Sequence, residues 1–71
     1  MATSKSVLHV DAKKVQVLMA NKIMNPYDLC SKAGISYQSY QRIIKNGGCK
    51  IATLGKLAAA LEVPVTDLLT D

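Results

Sequence analysis

Gln38, Gln41, Arg42 and Lys45 recur at i, i+3, i+4 and i+7, the spacing that places them on one stripe of a helix. Tyr40, Ile43 and Ile44 share the opposite face. A carboxamide carries a donor beside an acceptor, and a guanidinium carries a planar fork of donors. Both match base edges in the major groove of a duplex: Gln with adenine N6 and N7, Arg with guanine O6 and N7. Each such pair contributes about 1–3 kcal/mol of discrimination between bases. The plainer reading is a solvated helix face, and the surroundings decide between the two.

Other chemistries find little support. Cys30 and Cys49 lack close spacing, and with His9 as the single histidine a zinc site would be incomplete. Cys30 falls among inward positions and reads as a small core residue. Cys49 reads as an exposed thiol or as filler of a small apolar slot, and His9 as structural or solvated. Ser, His and Asp occur in no ordered nucleophile constellation. Gly47-Gly48 is followed by Cys49-Lys50, the wrong spacing for a phosphate-binding loop. The expectation is a protein that is not an enzyme and takes no metal, cofactor or small-molecule ligand.

The stripe needs a helix held in place. Ser36 is a good N-cap for it, and Asn46-Gly47-Gly48 ends it. The helix before it is marked more sharply: Asn25 caps, Pro26 takes the first helical position, Asp28 lies near the positive end of the dipole, and Gly34 stops it. Leu29, Cys30 and Ala33 turn inward, and Ile35 is placed to pack back on Cys30. Asp11 caps a first helix running to about Lys22, with Val15, Leu18 and Met19 on one face. Ile51, Leu54, Leu57, Ala58 and Leu61 mark a fourth helix, and Pro64 permits a short fifth through Leu69. Val7 to Val10 is compatible with a short strand, and residues 1–6 form a flexible segment. Residues 7–71 then make one all-α domain of five helices.

Length and charge bound the rest. A chain of 71 residues buries only roughly 60% of its unfolded surface and has no room for a second domain. Its apolar runs are too short for a membrane span, and two cysteines fit a reducing, cytoplasmic setting. The net charge of +4 is unevenly placed. Eight positive groups and only Asp28 as a negative one lie between Lys13 and Lys56, whereas Glu62, Asp67 and Asp71 are the charges of the tail. Such polarity suits one surface for a polyanion.

Two short helices joined by roughly four residues with a glycine at the bend form a helix-turn-helix. From Val15 to Leu69 the chain resembles the lambda-repressor and Cro-like helix-turn-helix family, also called the xenobiotic-response-element type. The matching residues are Leu29, Ala33-Gly34-Ile35-Ser36, Arg42-Ile43, Asn46-Gly47, Thr53-Leu54, Lys56-Leu57-Ala58, Ala60-Leu61, Val63 and Asp67-Leu68-Leu69. The resemblance implies base reading by Tyr37, Gln38, Gln41 and Arg42, and backbone contacts by Asn25, Ser36, Ser39, Lys45, Asn46 and Lys50. Tyr37 has three open roles: packing on a thymine methyl, bonding a phosphate through its hydroxyl, or covering its neighbours. Tyr27 reads as a surface residue near the DNA backbone.

The chain departs from the family in places. Met19 stands where many relatives carry Arg, and Ile44 where many carry its Glu partner. Pro26 replaces a Gln and has no N–H to offer a phosphate, and the junction after the recognition helix is about one residue longer than usual. The expected function is a sequence-specific double-stranded DNA-binding transcriptional regulator, a repressor of bacterial, phage or mobile-element type, acting as a homodimer on a palindromic operator. Val63, Val65, Leu68 and Leu69 are the candidate dimer interface, against the alternative that they close the monomer's core. The competing function is a protein-interaction module, such as the antitoxin of a toxin pair. A non-specific architectural binder is weaker, because coating DNA needs charge and little Gln.

Overall fold

Asp11, Asn25 and Ser36 each open a helix by accepting hydrogen bonds from backbone amides that the first turn leaves unpaired. The computed structural model describes residues 8–70. The flexible segment expected at 1–6, and Val7 of the expected strand, lie outside the described residues. In chain order the elements are β1 (Leu8–His9), α1 (Ala12–Asn21), α2 (Pro26–Ala33), α3 (Tyr37–Asn46), β2 (Gly48–Cys49), α4 (Ile51–Leu61) and a 3-10 turn (Val65–Leu68).

The architecture is mostly helical, with four α-helices where five were expected. The fifth is the 3-10 turn, and its neighbours explain why it stays short. Pro64 precedes it, and the Leu68 carbonyl accepts from the Asp11 amide at 2.7 Å. Leu69 is extended and bridges Val10, and the Thr70 amide donates to the His9 carbonyl at 3.0 Å. Leu69 and Thr70, with the Leu68 carbonyl, are thus recruited as a partner of the N-terminal strand, so the turn at 65–68 does not propagate as an α-helix.

β1 has a second neighbour on its other side. It pairs antiparallel with β2, Leu8 opposite Cys49 and His9 opposite Gly48, and the Val10 amide donates to the Gly47 carbonyl at 2.7 Å. Residues 8–11 therefore tie the exit of α3 to the end of the chain.

The core is centred on α4, which packs against α2 and the 3-10 turn. Leu29, Leu54, Leu57, Leu61, Leu68 and Val15 are essentially sealed from solvent. Burial of each contributes about 1.5–3 kcal/mol. Met19 is buried, and Ile44 packs against the same core half-buried, so apolar side chains occupy the positions of the family's charged pair. The tail set divides. Leu68 is wholly inside the monomer, Val63 and Leu69 are half-buried against the core, and Val65 is 40% exposed.

Glu62 closes α4 in the left-handed conformation, φ 60°. Its carboxylate meets the Lys22 ammonium at 2.8 Å and the Lys32 ammonium at 3.8 Å. The hydrogen bond from Lys22, with the charges of Lys22 and Lys32, holds the carboxyl below its ordinary range. Lys14 donates to the Leu69 carbonyl at 2.9 Å. These three lysines of the basic stretch are therefore engaged with the acidic end of the chain.

Candidate nucleic-acid interface

α2 begins with a complete capping box. The Asn25 carboxamide oxygen accepts from the Asp28 amide at 2.8 Å, and the Asn25 amide donates to the Asp28 carboxylate at 3.2 Å. The oxygen of Asn25 is thereby committed, and its NH2 group remains as a donor. α2 ends at Gly34, φ 74°, with the Gly34 amide donating to Ser31 O and the Ile35 amide to Cys30 O at 3.0 Å. That paired termination fixes the bend into α3. The Ser36 hydroxyl accepts from the Ser39 amide at 3.1 Å and donates to the Ser39 hydroxyl at 3.0 Å. The two serine hydroxyls are thus joined at the N-terminus of α3.

α3 is the most sharply two-faced helix of the chain. Tyr40 and Ile43 are buried, while Gln38, Gln41, Arg42, Lys45 and Asn46 are exposed. Two concavities flank it. One, toward α1 and the start of α2, is lined by Gln16, Pro26, Tyr37, Gln38, Gln41 and Lys45, among others. The second, toward α4, is lined by Ser39, Arg42, Gly48, Cys49, Lys50 and Thr53, among others. Arg42 borders both. α3 is therefore a ridge between two grooves, which is the shape that a helix entering a duplex groove requires.

The structure brings together Tyr37, Gln38, Gln41, Arg42 and Lys45 on this ridge, with Asn25 at the head of α2 and Lys50 at the head of α4. Lys50 occupies the N-cap of α4 without a side-chain hydrogen bond to that helix. Arg42, Lys45 and Lys50 have no acidic partner among the described residues. The positive charge on this side is uncompensated, in contrast to Lys22 and Lys32.

Gln16 and Thr53 are polar groove residues that the sequence does not single out. Gln16 is one of several exposed polar residues of α1, and nothing in its spacing singles it out. Thr53 matched the family as a pattern residue, but its place beside Arg42 depends on how α4 packs.

Burial pushes the thiols of Cys30 and Cys49 up, away from the thiolate form that a nucleophile or metal ligand needs. Burial, with smaller contributions from Cys30 and Tyr37, does the same to the Tyr40 hydroxyl. Among the described residues no group of three or more His, Cys, Asp or Glu gathers, and no helix is long and apolar enough to cross a membrane.

Residues 14–71 match the Cro/C1-type HTH DNA-binding domain. The chain belongs to that family. In this Cro/C1-type domain the match begins within α1 and takes in α2, α3, α4 and the tail, so β1 lies outside the family pattern. No curated protein matches the chain in sequence. Among solved structures it is similar to PhpD, native with cadmium atoms (TM-score 0.76) and with cadmium complexed with hydroethylphosphonate (TM-score 0.75). Each aligns over 90% of this chain at 22% identity, and that likeness is one of fold. The chain spans 14% of the length of those PhpD chains.

Proposed function

We propose that this Cro/C1-type DNA-binding domain is a sequence-specific transcriptional regulator of double-stranded DNA, a repressor of bacterial, phage or mobile-element type acting in the cytoplasm. The observation that carries the reading is the exposed set Gln38, Gln41, Arg42 and Lys45 on α3, a helix fixed at both ends and flanked by grooves. α3 enters the major groove. Tyr37, Gln38, Gln41 and Arg42 address bases, with Ser36, Ser39, Lys45, Asn46 and Lys50 on phosphates. α2 crosses the backbone, where the Asn25 NH2 and the free Tyr27 amide of its first turn meet a phosphate.

Repression follows from occupying a promoter and requires no catalytic group. One small domain makes few contacts, so useful affinity calls for a homodimer on a palindromic operator with half-sites one helical turn apart. Val65, with the half-buried Val63 and Leu69 beside it, is the apolar part of the tail left for that contact.

Selection of bound duplexes from random DNA at physiological salt tests the reading. A palindromic consensus is expected. Gln38→Ala and Arg42→Ala should each cost about 1–3 kcal/mol and relax preference at one base position. Absence of any enriched sequence would remove the proposal, and equal loss on every sequence would remove Gln38 and Arg42 from base reading.

A further inference from the structure

The chain has three aromatic residues, all tyrosine, and the fold gathers them into one column. Tyr27, in the first turn of α2, stacks on Tyr37 at the start of α3, with ring centroids 4.6 Å apart and planes 19° from parallel. Tyr37 stacks in turn on Tyr40, at 6.0 Å and 24°. The column runs from water to core: Tyr27 is 65% exposed, Tyr37 is half-buried and Tyr40 is buried. The Tyr27–Tyr37 stack joins the first turn of α2 to the first turn of α3.

Tyr37 is flanked by a solvent-side ring and a core-side ring, which leaves little of its face to lay on a thymine methyl. Tyr37 lines the groove it shares with Gln38 and Gln41, and with a ring stacked on either side its edge and hydroxyl are what it has left to offer there. An offset stack at these distances is attractive and restricts the ring's rotation. Side chains that read bases must be held near one geometry before binding, because freezing them on contact costs affinity.

We propose that Tyr27 is a positioning residue for sequence recognition. It clamps the Tyr37 ring so that the Tyr37 hydroxyl reads a fixed base edge beside Gln38, and it sets preference there without touching the base. The proposal rests on the reading of α3 as the base-reading helix.

The test uses the full chain and four variants, Tyr27→Ala, Tyr27→Phe, Tyr37→Phe and the double variant Tyr27→Ala with Tyr37→Phe. Each is measured on the selected site and on its single-base variants, with near-ultraviolet circular dichroism of the free protein. The chain has no tryptophan or phenylalanine, so that signal reports the tyrosine column. Tyr27→Ala should lower discrimination about two- to tenfold at one base pair and weaken the near-ultraviolet band. Tyr37→Phe should flatten the same base pair, and the double variant should lose no more than Tyr37→Phe. Tyr27→Phe keeps the stack and should restore both preference and band.

A Tyr27→Ala profile identical to wild type, or weakened equally at every site, overturns the positioning role. So does a Tyr27→Phe loss as large as that of Tyr27→Ala, which would make the Tyr27 hydroxyl a direct contact. Absence of site preference in the wild type would instead remove the DNA-reading proposal, and this inference with it.

Discussion

The helix-turn-helix and the seam that closes the domain are built by opposite means. From Asn25 to Gly47, every helix boundary is fixed by bonds between residues a few positions apart: Asn25 with Asp28, Ile35 with Cys30, Ser36 with Ser39, Gly47 with Ile43. In the seam, residues 8–11 join partners far along the chain: Val10 with Gly47, Asp11 with Leu68, and Thr70 with His9, 61 positions away. The first region is specified by side-chain type at each step, and the second by backbone groups that any residue except proline supplies. The two regions meet at Gly47, whose carbonyl the strand holds and whose left-handed backbone ends α3. The lysines and Asn46 around that junction thus owe their place to both.

The largest expected effect lies in the seam. Leu68 is fully buried under residues that the strand holds. Leu68→Ala should cost about 2–5 kcal/mol of stability in urea unfolding, the range for a leucine truncated in a packed interior. Leu69→Ala, half-buried, should cost distinctly less. If Leu68→Ala leaves unfolding unchanged but shifts the oligomeric state, the tail is an interface and the seam does not close the monomer.

The contrast also explains what could be read from the residues alone. The bounds of α2 and α3 follow from Asn25, Pro26, Gly34, Ser36 and Gly47, because capping and left-handed termination are short-range and depend on residue type. The α3 stripe was legible for the same reason. β2 was not, since Gly48-Cys49 carries no strand signal of its own and pairs only because β1 arrives from the N-terminal end. The apolar spacing of Val65, Leu68 and Leu69 points to a helix, but a 3-10 turn followed by a bridging residue satisfies it equally well. The pairing of Lys22 and Lys32 with Glu62 required knowing that the ends of α1, α2 and α4 converge. That convergence makes the basic face smaller and sharper than the charge count along the chain suggested.

A smaller effect is expected where order is local. Gly34→Ala places a Cβ in open space, so its cost is the left-handed backbone alone, about 1–2 kcal/mol. Asn25→Ala removes one arm of the capping box and should cost about 1 kcal/mol. Thermal unfolding of both variants checks these values. A loss from Asn25→Ala as large as that from Leu68→Ala would mean that α2 and the seam unfold as one unit, and the division drawn above would fail.

The smallest effect belongs to Glu62, whose ion pairs join the ends of three helices at the surface. Exposed pairs are weakened by water and by salt, so Glu62→Gln should shift stability only slightly at neutral pH and low ionic strength. Its signature is pH dependence. The carboxyl is held below its ordinary range when folded, so its contribution is present above the unfolded pKa and is lost as pH falls through the folded one. Wild type and Glu62→Gln should therefore differ at neutral pH and converge in acid, and high salt should close the gap at any pH. Glutamine keeps a side chain of the same shape on the left-handed backbone at φ 60°, so the comparison isolates charge from conformation. A difference that persists in acid would assign the role of Glu62 to that backbone turn, making this corner of the molecule another locally specified helix end and not a long-range tie like the seam.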